Sequence, residues 1–159
     1  MLPQNNITTN ATLCFVIHKD NVLLITKKRG FGEGKLNGPG GKVNKNETIK
    51  NAAIRETKEE TGVKPINPQK KAILDFYFGS VKNPQWKVHV FTTEEYIGDL
   101  VETEEAKGEW IRIKDIPYEL MWEDDKYWLP EVLSGIQLKG KFWFTEDMNK
   151  LISHNLEIQ

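Results

Sequence analysis

The chain has 159 residues, 38% hydrophobic and 28% charged, with a net charge of −1 at pH 7. That suffices for one domain with a substantial core, residues 1–159, and is too short for two ordinary ones. The near-neutral balance argues against disorder and against a general affinity for nucleic acid polymers, so an anionic ligand must be met locally.

"MLPQNNITTN" lacks the apolar middle of a signal peptide, and no apolar run approaches membrane-spanning length. The one cysteine, Cys14, lies in the apolar run "TLCFVI" and reads as a buried thiol in a reducing compartment. These features predict a cytoplasmic, soluble protein with no membrane partner, and a monomer is expected. Residues 12–17 and 22–28 are β-branched and apolar around His18-Lys19-Asp20-Asn21, the pattern of a hairpin. The stretch from Arg29 to Gly41, "RGFGEGKLNGPGG", is too glycine-rich for either regular element. A helix is expected from about Glu47 to Thr61, stopped at Gly62 with Pro65 beyond. Strands are expected at 71–79, 87–97 and 109–113. "IPYELMWEDDKYWLPEVLSG" predicts one or two short helices, with Asp124 or Asp125 as N-cap and Gly135 as stop. A terminal hairpin completes the chain, and the class is α+β, an α/β/α sandwich around a mixed sheet.

The helix carries the informative pattern. At ~100° per residue, Ala52, Ala53, Glu56, Thr57 and Glu60 fall near the line of Ile49, while Lys50, Asn51, Arg55 and Lys58 point elsewhere. A run of glutamates is usually a solvated face, but these continue the buried stripe. Crowded, partly buried carboxylates need a counter-charge, and oxygen-only ligands suit a hard divalent cation, Mg²⁺ or Mn²⁺. None of His18, His89 and His154 neighbours a cysteine or another histidine, which argues against zinc. Before the helix, "GPGGK" sets flexible backbone and Lys42 where a chain enters a helix N-terminus, a region that favours phosphate, although the spacing is not a Walker loop.

From Gly41 the order is glycine, five residues, Glu47, seven residues, Arg55-Glu56, two residues, Glu59-Glu60, one residue, Gly62-Val63. This resembles the Nudix box, a catalytic loop-helix-loop, with every charged and glycine position filled and Thr57 where the family usually has an aliphatic residue. The resemblance implies the Nudix fold and hydrolysis of a nucleoside diphosphate-linked substrate with Mg²⁺. It implies that Glu56, Glu59 and Glu60 bind metal with the carbonyl of Gly40, with Glu105 a candidate outer ligand. Glu59 or Glu60 would also act on the attacking water, Arg55 would hold the glutamates, and Glu47 would brace the loop.

Beyond the box, "KKRGFGEGKLNGPGGKV" and "MWEDDKYWLP" resemble the MutT-homologue 8-oxo-dGTPases. That branch implies base reading by Asn37, Asp124 and Asp125, with Glu123 beside them, and stacking on Trp122. Phe31, Phe76 and Phe78 would wall the pocket, Thr12 and Leu13 would line its floor, and Lys27 would approach the phosphates. Pro39, Gly40, Gly41 and Lys42 would form the substrate loop. Leu36 and Pro39 stand where the branch commonly has aromatics, and Trp86 where a smaller apolar residue is usual. Read singly, Trp122 and Trp128 could be core and Asp124 a helix cap. Other substrates open to the same box are a pterin triphosphate, an unmodified dNTP or a nucleotide sugar; an inactive nucleotide-binding module is the alternative from another class.

Overall fold

A computed structural model describes residues 7–159; residues 1–6, most of the stretch read for a leader, lie outside the described residues. Strands β1 (Thr9–His18) and β2 (Asn21–Lys27) form the expected hairpin, with Ile17 opposite Val22. The glycine-rich stretch is more ordered than its composition predicts. It contains β3 (Leu36–Asn37), paired with β2, and β4 (Gly40–Lys42), paired with β1 over Ala11–Leu13. Both are too short for a period-2 pattern to register, and their partners lie far away in sequence.

Helix α1 (Ile49–Thr61) begins two residues later than expected, because Thr48 is the N-cap and its hydroxyl accepts from the Asn51 N–H at 3.1 Å. Such a cap contributes about 1 kcal/mol. Gly62 ends the helix at φ 83°. Next come β5 (Lys64–Pro65), β6 (Gln69–Phe78), β7 (Trp86–Thr93), β8 (Tyr96–Ile97) and β9 (Ala106–Arg112). The expected strand 87–97 is therefore two elements: β7 stays in the large sheet, and β8 pairs with β5. Two single 3-10 turns, Ile113–Asp115 and Tyr118–Leu120, lead to α2 (Asp125–Leu133). The terminal hairpin is β10 (Leu138–Phe144) and β11 (Leu151–Ile158).

The main sheet runs β11-β10-β6-β7-β1-β2-β3, with β4 added on β1 and β9 on β2. It is mixed: β1 runs parallel to β7 and β10 parallel to β6, whereas β6 and β7 are antiparallel. Alternation along β1 separates the layers, since consecutive side chains point to opposite faces. Cys14 packs with Ala53 of α1, while Phe15 packs in the larger core with Trp128, Leu129 and Val132 of α2. One helix thus covers each face, the α/β/α order expected. The buried line of α1 holds Ala52, Ala53, Thr57 and Glu60. Thr57 costs little there, because its hydroxyl donates to the Ala53 carbonyl at 2.8 Å. Among the described residues no helix is long and apolar enough to cross a membrane.

The end of α1 admits a direct check. A Cβ at Gly62 would meet the Asp99 carbonyl oxygen at 2.6 Å and Val101 Cγ2 at 2.7 Å, on a left-handed backbone. Gly62→Ala is expected to lower stability by roughly 1–3 kcal/mol, read as a fall in the urea midpoint at unchanged slope.

Candidate active site

Arg55 organises the first half of the site. Its Nε donates to Glu47 Oε2 at 2.6 Å and its Nη2 to Glu47 Oε1 at 3.0 Å, a two-point grip on the loop before α1. The remaining N–H groups reach Glu56 Oε1 at 2.6 Å, Glu59 Oε2 at 3.3 Å and the Lys42 carbonyl at 3.2 Å. The hydrogen bond from Arg55, helped by one from the Asn44 N–H, holds the Glu47 carboxyl below its usual range. Glu47 Oε1 also accepts from the Asn44 N–H. Loop and helix are thereby drawn so close that a Cβ at Gly41 would fall 1.7 Å from Glu56 Oε2, and one at Gly40 1.8 Å from the Thr12 carbonyl oxygen. Only glycine allows both approaches.

Glu60 is buried at the centre of this arrangement. Its Oε1 accepts from the Gly40 N–H at 2.8 Å and its Oε2 lies 3.7 Å from Lys27 Nζ. Burial nevertheless pushes its carboxyl from 4.5 up to about 7, with Glu56 and Glu105 adding repulsion. Burial raises Glu56 as well, against the pull of Arg55. Glu56, Glu60 and Glu105 line one cavity of about 450 Å³. Among the described residues no three acidic or imidazole groups converge into a ready cage, because Arg55 and the Gly40 N–H each engage a carboxylate oxygen. The donor chemistry still fits a hard divalent cation: oxygen atoms only, crowded, desolvated and short of positive charge.

The cavity continues from the carboxylates into an aromatic slot. Thr12 and Leu13 of β1, Asn37 of β3, Gly40, Gly41 and Lys42 of β4 and Lys27 of β2 line it. Phe31, Phe76, Phe78 and Trp122 wall it, and Asp124 and Asp125 are buried in it. Asp124 does not cap α2: its backbone is already helical and its side chain makes no cap bond. Its Oδ2 instead accepts from the Trp128 indole N–H at 2.8 Å, while Asp125 Oδ2 accepts from the Trp122 N–H at 3.1 Å. Burial pushes both carboxyls up, Asp125 further because the Asp124 charge adds to desolvation. A pair so placed favours holding one proton, one group donating while the other accepts.

Four residues named from the sequence do not line the cavity. Arg55 braces it from behind. Glu59 points outward, 52% exposed and paired with Arg55, because it sits about 80° off the Ile49 line of α1, on the side away from Thr57. Pro39 is buried behind the loop with its carbonyl accepting from the Cys14 N–H, and exposed Glu123 accepts from the Leu151 N–H. The cavity adds Ala11, Ile25, Gly38, Asn44, Trp86, Val88, Trp128 and Phe144. Trp128 had a local signal, one helical turn after Asp124. Phe144 and Trp86 had none, since they reach the slot through strand pairings, Phe144 beside Phe78 and Trp86 beside Phe76.

The NUDIX domain model matches residues 8–132. The chain belongs to the Nudix family. It is 38% identical over 146 residues to a mouse protein named oxidized purine nucleoside triphosphate hydrolase, covering 91% of this chain and 92% of the relative. The zebrafish protein of the same name is also 38% identical over 146 residues, with 92% of each chain covered. A crystal structure of a MutT protein from Bacillus halodurans superposes with a TM-score of 0.82 at 34% identity, over 94% of this chain and 97% of that one. The Nudix box in this chain is thus the Arg55-braced loop and helix.

The raised Glu60 carboxyl makes stability depend on pH without metal. A folded value of about 7 against an ordinary 4.5 means the folded state holds this proton more tightly. The associated stability is full below pH 4.5 and is lost as pH rises through about 7. The melting temperature in chelator should fall between those limits, less steeply in Glu60→Gln, and divalent cation should restore it in wild type.

Proposed function

We propose that this chain is a Mg²⁺-dependent pyrophosphohydrolase that converts oxidised purine nucleoside triphosphates of the 8-oxo-dGTP type to the monophosphate and pyrophosphate. The carrying observation is the buried Asp124–Asp125 pair in an aromatic slot continuous with the Glu56–Glu60 carboxylates. The printed names of the mouse and zebrafish relatives agree with it. Residues 1–159 would act as one domain and as a monomer, and the buried free thiol of Cys14 suits a cytoplasmic setting.

Glu56, Glu60 and the Gly40 carbonyl would hold the cation, Glu105 would join from its loop, and Glu59 would contribute from the rim. Bound there, Mg²⁺ supplies Lewis acidity, a template for the phosphates and a more acidic water. Of the two glutamates considered as base, Glu60 lines the cavity and Glu59 does not, which supports Glu60 as acceptor of the proton of the water that attacks the β-phosphorus. Arg55 orients Glu56 without touching substrate, and Lys27 and Lys42 meet phosphate charge. At the other end the base would stack on Trp122, with Asn37 and the free oxygens of the aspartate pair at its edge. The 8-oxo base carries an N7–H that guanine lacks, and an ionised aspartate accepts it. Losing such a bond costs ~1.5–3 kcal/mol, or roughly 10- to 150-fold.

Wild type is expected to turn over 8-oxo-dGTP with a higher kcat/KM than dGTP. Asp124→Asn and Asp125→Asn should each shrink that ratio with little change in metal dependence, and steady-state kinetics on the two nucleotides decides it. A wild-type ratio near one ends the base-reading role. Glu56→Gln and Glu60→Gln should each cut turnover of any nucleotide by orders of magnitude while far-UV circular dichroism stays native.

A further inference from the structure

Four aromatic residues of the cavity lining, Phe31, Phe76, Trp86 and Trp122, are not fully buried, and Phe31 stacks on both tryptophans. Phe31 is 57% exposed, yet its ring lies between two indoles. It is 5.2 Å from Trp122 at an interplanar angle of 15°, and 6.2 Å from Trp86 at 18°. A lysine stands over each tryptophan, Lys35 Nζ at 4.9 Å from the Trp122 ring and Lys42 Nζ at 5.7 Å from the Trp86 ring. The rings thus form one stack from the glycine-rich strap that carries Phe31 to strand β7.

The two seams of this stack differ in strength. On the Trp122 side the strap itself is seated, since a Cβ at Gly32 would lie 3.6 Å from the Trp122 ring. On the Trp86 side the ring contact is the longer of the two. The strap turns through Gly30 and Gly34, at φ 82° and 84°, with no atom within 4 Å of a Cβ at either. The Phe31–Trp86 seam is therefore the weaker of the two.

We propose that Phe31 and Trp86 form a gate over the base slot, closed by their ring contact, which a flat ligand must open to enter and which closes again over the bound base. Trp86 is then a positioning residue that sets both rates of exchange. This rests on the slot being the base site. A gate closed in both free and bound protein slows entry and exit together, whereas an ordinary wall only stabilises what is bound.

The test measures association and dissociation of dGMP and 8-oxo-dGMP, each with a fluorescent label on the sugar, for wild type, Trp86→Leu and Trp86→Phe. Trp86→Leu should raise both rate constants about three- to tenfold, the range of one aromatic pair, with Kd moving less than about twofold. Trp86→Phe should stay near wild type. A rise in dissociation alone, no change in either rate, or a Trp86→Phe variant that behaves like Trp86→Leu overturns the gate. The effect should be the same for both nucleotides. Equal binding of the two with the gate kinetics intact would overturn the oxidised-base preference and leave the gate standing. A measurement without ligand covers the case in which neither binds: with 5-fluorotryptophan, the ¹⁹F resonance of Trp86 should show exchange that disappears in Phe31→Ala, and its absence in wild type overturns the proposal.

Discussion

The site depends on the grip of one guanidinium. Arg55 holds Glu47 at two points and reaches Glu56, Glu59 and the Lys42 carbonyl. These are charge-assisted bonds in a fixed planar fork, which a lysine could not reproduce. They offset the repulsion among carboxylates on one helix and anchor the loop that delivers Gly40 and Gly41. Glycine at those two positions follows from the same grip, because the loop is pulled to where any Cβ would overlap Glu56 or β1.

Two sets of acids then share one cavity with opposite electrostatic needs. Glu56, Glu60 and Glu105 repel one another, and although Arg55 pairs with Glu56 and Lys27 lies near Glu60, burial still raises both of those carboxyls, so that end can take more positive charge. Asp124 and Asp125 meet an indole N–H and a backbone N–H, and burial drives them toward the neutral acid. The first set can relieve its repulsion with a cation and the second with a proton. A ligand with an anionic end and a flat hydrogen-bonding end complements that division.

The sheet sets the distance between the two ends. Strand β1 meets β4 at Ala11–Leu13 and β7 along most of its length, so the glycine loop and the Trp86 strand flank the same short segment. The parallel pairing of β6 with β10 sets Phe144 beside Phe78, and α2 brings Trp128 beneath Asp124. The aromatic slot is therefore assembled from the strap that carries Phe31, from β6, β7 and β10, and from the approach to α2, which are scattered along the chain.

The sequence alone determined what neighbours along the chain can enforce. The hairpin of β1 and β2, the stripe of α1 with its Gly62 stop, and the box spacing from Gly41 to Val63 were legible, because period and cap chemistry act over a few residues. Glu56 and Glu60 were legible as acids continuing the buried stripe for the same reason. Tertiary structure decided the rest. The two-strand fate of residues 36–42 depends on partners in β1 and β2, and the split of 87–97 depends on β5 taking Tyr96 and Ile97. The outward turn of Glu59 depends on which side of α1 the sheet covers. Asp124 reads as a cap by position and becomes an indole partner only because Trp128 is buried under it. Trp86 enters the slot through strand register alone, which no local pattern records, since register is settled by the packing of both faces of the sheet at once.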